Sequence, residues 1–389
     1  MVFSECEHLV GHGLHGFTGN SCTGGIIDST GSITMGFSIN YVGCVSRHIP
    51  THSNAAYEHA YVQGVDCQRK IMARIAVTDG MAEAAVEILR NAGHEVDLDP
   101  QDLNGFDAVV IRSATKMTAS AIAAAPTLKL IGRAGVGVDN IDLDAATKAG
   151  ILVCNTPGSS TQSVAELTIG HLLASTRHIP KADRDLRDGK WTKKALKGTE
   201  LSGKRIGFIG FGRIAQGVGH IASSIGMELH AYDPYLPDAV ALEQNCHLHP
   251  DVEDVFRHCT HIAIHCNLTD ETHHLVNEHT LSLMPGIGAD GIACGNHLVS
   301  CARGGIVNED DALKALENGT LSSCALDVFE NEPETTHPIL YHPNFHGTPH
   351  IGAATHEAQA RIGLEMANLL IAFFNGDTPK SVVNKRILE

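Results

Sequence analysis

The sequence predicts an α/β protein of two doubly wound, parallel-sheet domains with a cleft between them. Two observations carry this expectation. From Arg74 onward, short apolar runs alternate with stretches of helical spacing, the pattern left by strands that helices cover on both faces. Near the middle, a glycine-rich turn joins a strand to a helix, and a second strand ends in a carboxylate about 20 residues further on. With 389 residues and 43% apolar content the chain is too long for one ordinary core, so two domains are expected.

Residues 1–71 do not share this pattern. They are rich in Gly, Ser, His and Cys and lack a sustained period. Their acids (Glu5, Glu7, Asp28, Glu58, Asp66) do not suit a transit peptide, and no early apolar core suits a secretory signal. They are expected to be a leader, either disordered or produced by a misplaced gene start, with the folded chain beginning at Met72. Cys6, His8, His12, His15 and Cys22 match no zinc spacing, so no metal is expected. The formal charge of −16 disfavours nucleic acid or an anionic membrane as partner, because the summed field repels phosphates. No run of 18 apolar residues occurs. The 11 cysteines are scattered without a Cys-x-x-Cys pair and read as reduced thiols of a cytoplasmic protein.

In the first domain the pattern places strands at Ile75–Val77, Glu95–Leu98, Asp107–Arg112 and Lys129–Gly132. Helices are expected at Ala82–Asn91, where Ala85, Val86 and Leu89 share a face, and at Ser120–Ala125. The amphipathic stretch Val164–Thr176 would cross to the second domain, and a long last helix, Glu357–Phe374, would return. The first domain is therefore expected to be discontinuous, 72–170 plus 357–389, around a nucleotide domain at 171–356.

The second domain opens with Lys204-Arg205-Ile206-Gly207-Phe208-Ile209-Gly210-Phe211-Gly212-Arg213-Ile214-Ala215 and reaches Asp233 after an apolar periodic run. Gly210 permits the tight turn, Gly212 lets the backbone approach a pyrophosphate, and the helix beginning near Arg213 aims its free N–H groups at that anion. Asp233 can accept hydrogen bonds from both ribose hydroxyls of NAD and would repel the 2′-phosphate of NADP.

Three later segments supply chemistry. Ser300-Cys301-Ala302-Arg303 offers a guanidinium that can hold a carboxylate bidentately. The strand Ala325-Leu326-Asp327 runs into the acids Glu330 and Glu332. Thr348-Pro349-His350 sets an imidazole after a proline-fixed turn. Together they form a carboxylate clamp, a general acid/base and an acid to orient it, the set required for oxidation of a 2-hydroxy acid.

These segments, with Arg112-Ser113-Ala114-Thr115-Lys116 and Gly132-Arg133-Ala134-Gly135-Val136-Gly137-Val138-Asp139-Asn140-Ile141-Asp142, occur in an order that resembles the D-isomer specific 2-hydroxyacid dehydrogenases from Arg74 to about Asn384. The resemblance implies a flavodoxin-like substrate domain and a Rossmann nucleotide domain with NAD as cofactor. It implies that His350 takes the C2 hydroxyl proton, that Glu332 raises the imidazole pKa, and that Arg303 binds the substrate carboxylate and the C2 oxygen. Backbone N–H groups near Gly135, Val136 and Gly137 would hold the same carboxylate. Arg112, Ser113 and Lys116 would meet a distal phosphate. Arg213 and Ile214 would cover the pyrophosphate, Asp233 the adenosine ribose and Asp327 the nicotinamide amide. His265, Cys266 and Thr272 would line the adenosine side, with Ala302 also at the cofactor.

The implied substrate is a phosphorylated 2-hydroxy acid, D-3-phosphoglycerate first, as in serine biosynthesis. The alternatives are glyoxylate or hydroxypyruvate, or an NAD-sensing binding protein without turnover. A homodimer or homotetramer is implied, with the Val164–Thr176 helix a candidate contact. The chain stops soon after Asn384, where longer members continue into regulatory domains, so no serine feedback through such a domain is expected. Three positions depart from the family pattern: Asn267 for Pro, Ser300 for Asn, and Ser160 for Asn. The stretch Pro285–Asn296 also looks several residues too long. It is expected to loop out at the surface; displacement of the strand His297–Ser300 instead would move Arg303.

Overall fold

The computed structural model describes residues 72–388, which belong to one compact unit. The leader and its Cys/His positions lie outside the described residues. Two parallel sheets organise the unit. The first has strands β1 (Arg74–Val77), β2 (Glu95–Leu98), β3 (Ala108–Ile111), β4 (Leu130–Arg133) and β5 (Leu152–Asn155) in the order β2-β1-β3-β4-β5, the flavodoxin-like winding. β3 is buried along its whole length, as its unbroken apolar run requires.

The second sheet has β6 (Arg205–Ile209), β7 (Glu228–Tyr232), β8 (Cys246–Leu248), β9 (His261–Ile264), β10 (His297–Ser300), β11 (Ser323–Leu326) and β12 (Phe345–Gly347). Its order is β12-β11-β10-β9-β6-β7-β8, so the winding reverses between β6 and β9. A crevice outside the carboxyl ends of strands at such a switch point is where open α/β sheets bind ligands.

The final helix, His356–Phe374, packs on the helix Glu83–Asn91, and Met366, Leu370 and Phe374 enter the core formed with Ile75, Leu89 and Val110. The return to the first sheet is thus made by burial of one apolar face. The helix Thr161–Thr176 corrects the expectation of amphipathicity. It lies against β10, β11 and the helix Arg213–Ser224, and Val164, Ala165, Ile169 and Leu172 are all buried with the second sheet's core. Its apolar residues face more than one neighbour, so only a narrow exposed stripe of Gln162, Glu166, Gly170 and Leu173 remains, and most of the proposed contact surface serves the chain's own core. The helix Leu143–Lys148 and β5 complete the first sheet without having been read from the sequence.

The long stretch before β10 does loop out. A small turn is closed by an antiparallel bridge between Ile287 and Ala293, both Ile287 and Ile292 are exposed, and β10 keeps full register with β9 and β11. Two polar pins hold it. Asp290 Oδ2 accepts from the buried Lys204 ammonium at 2.6 Å, and Asn296 receives the Gly286 N–H at 2.8 Å while donating to Thr320 O at 2.9 Å. Arg303 therefore stays where β10 delivers it.

Candidate active site

The first half of the site is a cavity of about 440 Å³ at the carboxyl ends of β6 and β7, bordered by Gly210, Gly212, Arg213, Ile214, Asp233, His265, Cys266 and Thr272. Gly210 has φ 82°, and a Cβ there would lie 2.8 Å from the Cys266 amide nitrogen, so only glycine brings the two switch-point strands this close. The helix Arg213–Ser224 starts at Gly212 without a side-chain cap, which leaves its first-turn N–H groups for an anion. Asp233 accepts from the N–H groups of Phe211 (2.9 Å) and Tyr235 (3.0 Å), which orient its carboxylate at the end of β7. The two ring nitrogens of His265 are buried without a hydrogen-bond partner, and burial pulls its pKa down to about 4, so the ring is neutral. Thr272 donates to Asn267 O (2.7 Å) and closes the turn along the outer wall. An uncapped helix start, an oriented carboxylate and an unpartnered imidazole fit NAD.

The second half is built on β11. Asp327 is buried, and its carboxylate accepts from Thr348 Oγ1 (2.6 Å), Ile351 N (2.8 Å) and Gly352 N (2.9 Å), while its carbonyl accepts from His350 N (2.8 Å). These four bonds hold His350 at φ 53°, a left-handed conformation that a non-glycine residue keeps only when its surroundings impose it. His350 Nδ1 donates to Glu332 Oε2 at 2.7 Å, and Glu332 Oε1 accepts from Phe329 N at 3.0 Å. Burial opposes ionisation of Glu332, but the hydrogen bonds from His350 and Phe329 outweigh it and hold the carboxyl below its ordinary range. With Nδ1–H engaged, the lone pair of His350 is presented at Nε2. Asp327, expected at the nicotinamide amide, borders the cavity with Arg303 and His350, and its Oδ2 accepts only the Gly352 N–H, so an acceptor site is left for a further donor.

Arg303 follows β10. Its Nε donates to Asp139 Oδ2 (2.6 Å) and its Nη1 to Ala302 O (2.6 Å), leaving Nη2 against Gly137. The loop Gly135–Gly137 is fixed from behind by Thr156 N to Gly135 O (2.9 Å) and Asn155 Nδ2 to Val136 O (2.7 Å). The Gly135 N–H is itself donated to Arg133 O at 2.9 Å, while the Val136 and Gly137 amides make no hydrogen bond within the described residues. The expected carboxylate nest therefore narrows to Val136 and Gly137.

The Arg112–Lys116 loop at the end of β3 is pinned on two sides. Asp79 accepts from Arg112 N (2.7 Å), Thr115 N (3.0 Å) and Thr115 Oγ1 (2.6 Å), and Asn140 Nδ2 donates to Arg112 O (2.7 Å) and Thr115 O (2.6 Å). Arg112 and Ser113 border a small cavity of about 150 Å³ with Ala302, Arg303, Asp327 and His350. Lys116 borders an adjoining one of about 640 Å³ with Arg303, Glu332 and His350. Arg133 borders both and was missed as a site residue. Burial, then repulsion from Arg303 and Arg112, lowers its pKa to about 10, and its Nε has no partner. Asp79, Asp139, Asn140 and Asn155 were also missed as site residues. Asp139 and Asn140 stand inside the quoted Gly132–Asp142 motif, the one signal that could have found them. Of the positions that depart from the family pattern, Ser300 leaves its buried hydroxyl unpartnered, and Ser160 starts the helix Thr161–Thr176 without a side-chain cap.

Residues 169–352 match the D-isomer specific 2-hydroxyacid dehydrogenase NAD-binding domain. The chain is 41% identical over 321 residues to D-3-phosphoglycerate dehydrogenase of Methanocaldococcus jannaschii, covering 80% of this chain and 60% of that protein. It is 40% identical to hydroxypyruvate reductase of Thermotoga maritima, covering 75% of this chain and 95% of the relative. The crystal structure of D-lactate dehydrogenase from Aquifex aeolicus complexed with NAD and lactic acid superposes with a TM-score of 0.70 at 27% identity, over 80% of this chain and 99% of that one. The chain thus spans about 60% of the length of the phosphoglycerate dehydrogenase it matches. With two wound sheets, a nucleotide crevice at the switch point and an Arg–Glu–His constellation across the cleft, the chain belongs to the D-isomer specific 2-hydroxyacid dehydrogenase family.

Proposed function

We propose that the chain oxidises D-3-phosphoglycerate to 3-phosphohydroxypyruvate with NAD, the step that would open serine biosynthesis. The observation that carries this reading is the gathering of Arg112, Arg133 and Arg303 around the cavities that His350 faces. A substrate with a carboxylate at one end and a phosphate at the other supplies an anion for each side of such a cleft.

In this reading Nη2 of Arg303 and the amides of Val136 and Gly137 hold the carboxylate, and Arg112 and Lys116 hold the phosphate. His350 Nε2 takes the C2 hydroxyl proton as the C2 hydride departs, and Glu332 stabilises the imidazolium that forms. Bound NAD⁺ would accept the hydride. The relative from M. jannaschii supports the phosphorylated substrate, whereas the one from T. maritima favours hydroxypyruvate, which lacks a phosphate. The two are separated by comparing kcat/KM for D-3-phosphoglycerate and D-glycerate in NADH formation at alkaline pH. A phosphate preference of 100-fold or more that collapses in Arg112→Ala is expected. Equal rates for the two acids would replace this substrate with the non-phosphorylated one, and tight NADH binding without turnover of either would favour a non-catalytic NAD sensor.

A further inference from the structure

Away from the reacting groups, two consecutive histidines and a carboxylate converge. His273 and His274 lie in the turn that follows Thr272, and His274 adopts φ 50°. Consecutive side chains on extended backbone point apart. Here the two imidazoles lie on the same side, ring centroids 3.9 Å apart and 25° from parallel. Glu330 stands against both: Nε2 of His274 is 3.2 Å from Oε2, and Nε2 of His273 is 3.9 Å from Oε1. One ligand atom from each residue lies within 4.8 Å of the other two. Ligands around a tetrahedral zinc with bonds near 2.0–2.1 Å are about 3.3 Å apart, so modest rotations of the exposed His273 ring and the Glu330 carboxylate would close the triangle.

We infer that His273, His274 and Glu330 form a site for a divalent cation of the zinc type, whose occupancy tethers the loop carrying Glu332. Two imidazole nitrogens and one carboxylate oxygen suit Zn²⁺, Co²⁺ or Ni²⁺ and not the oxygen-seeking Mg²⁺ or Ca²⁺. The fourth position faces solvent and would take water. The backbone behind the ligands is fixed on both sides. His274 N donates to Gly305 O (2.8 Å), two residues from Arg303, and Glu330 N donates to the buried Glu309 carboxylate (2.7 Å). Nδ1 of His274 stands 3.5 Å from the Asn308 amide nitrogen, which keeps its Nε2 edge turned to Glu330. In the metal-free arrangement Nε2–H of His274 donates to Glu330. The cation takes the Nε2 lone pair of the other neutral tautomer, so the ring proton leaves Nε2 and one is taken up at Nδ1, with the long contact to Asn308 given up. Glu330 is two residues from Glu332, and a cation bound to both segments removes freedom from the loop 329–333. The inference does not depend on the identity of the hydroxy acid.

Isothermal titration of the full chain with Zn²⁺ at pH 7.5 tests it. One equivalent should be lost in His273→Ala and weakened at least tenfold in Glu330→Gln. It should remain in His279→Ala, where another exposed histidine faces a carboxylate, that of Glu253 at 3.0 Å. Co²⁺ in place of Zn²⁺ should give the visible absorption of a four-coordinate ion in the wild type and in His279→Ala, and not in His273→Ala. Should Glu330→Gln fail to fold, His273→Ala carries the test, since that side chain is 52% exposed. Equal stoichiometry and affinity in wild type and His273→Ala would overturn the site. Hydrogen exchange of amides 328–333 should slow with Zn²⁺ in the wild type and not in His273→Ala; binding without slowed exchange would overturn the tether.

Discussion

Gly137→Ala separates the folding of this chain from the placement of Arg303. A Cβ at Gly137 would sit 1.5 Å from Nη2 of Arg303 and 2.4 Å from its Cζ, so the methyl and the guanidinium cannot share the space. The backbone at Gly137 is not in the left-handed region, and the atoms struck are the far end of a flexible side chain. The guanidinium therefore moves and the fold stays, with a stability change within about 0.5 kcal/mol, as for a substitution that disturbs no core packing. The displaced group loses its position over the Val136–Gly137 amides, where the substrate carboxylate is proposed to bind. A hydrogen bond to a charged group contributes about 1.5–3 kcal/mol, and each 1.4 kcal/mol is a factor of ten, so kcat/KM should fall roughly 10- to 150-fold. The assay is initial-rate NADH formation together with NADH affinity by fluorescence and a melting curve. NADH affinity and melting temperature should match the wild type, because the cofactor cavity does not include Gly137. An unchanged kcat/KM would refute the placement of the substrate carboxylate at Arg303 and this loop.

Two further outcomes follow from buried polar groups. Asp327→Ala should strand the N–H groups of Ile351 and Gly352, at about 1–3 kcal/mol for each group left without a partner, while the Thr348 hydroxyl keeps His171 Nε2 at 3.2 Å. Urea unfolding should show a loss of several kcal/mol, and a variant as stable as the wild type would mean that Asp327 does not hold the His350 segment. Burial lowers the pKa of His230, His249 and His297 to about 4, against about 6.5 in an unfolded chain. For such groups the unfolded state takes up protons first, so their stability contribution is present above pH 6.5 and is lost as pH falls toward 4, by up to about 1.4 kcal/mol per pH unit for each group. Unfolding free energies at pH 7.5, 6 and 5 should decline steeply, and a flat profile would mean that these rings are solvated.

What could be read from the sequence was whatever is encoded locally. The Gly210 turn and Asp233 declare themselves because a strand, a tight turn, a helix start and a second strand occur at fixed spacing. β2 and β10 were read to the residue, β2 as an alternation of acids with Val96 and Leu98 and β10 as a short buried run. The Thr161–Thr176 helix was misread because periodicity reports one buried face, whereas this helix meets two strands and another helix. Lys204 entered the sequence reading only as the first residue of the glycine-rich segment. Its side chain is 3% exposed, and its partner Asp290 arrives from 86 positions away in the segment that looked superfluous. Arg133 was visible inside a quoted motif, yet its role depends on β3, β4 and the segment after β10 meeting at one cleft, which no local spacing encodes.

That convergence bears on how an acidic chain would attract the acidic substrate proposed for it. The formal charge of −16 is spread over the surface, whereas Arg112, Arg133 and Arg303 border adjoining cavities where low dielectric strengthens every interaction. Such a cluster is unfavourable by itself: Arg133 is half-buried, repelled by the other two, and carries a buried Nε without an acceptor. Asp79 and Asp139 offset part of the repulsion, and Asp139 does so by holding Arg303 through Nε at 2.6 Å. Because that bond engages Nε and Ala302 O engages Nη1, Arg303 is oriented before any substrate enters and still offers Nη2. A ligand with two anionic ends would relieve the remaining repulsion at both sides of the cleft. Under the proposed function, the repelled charge of Arg133 is thus placed where binding would remove part of the cost of keeping it.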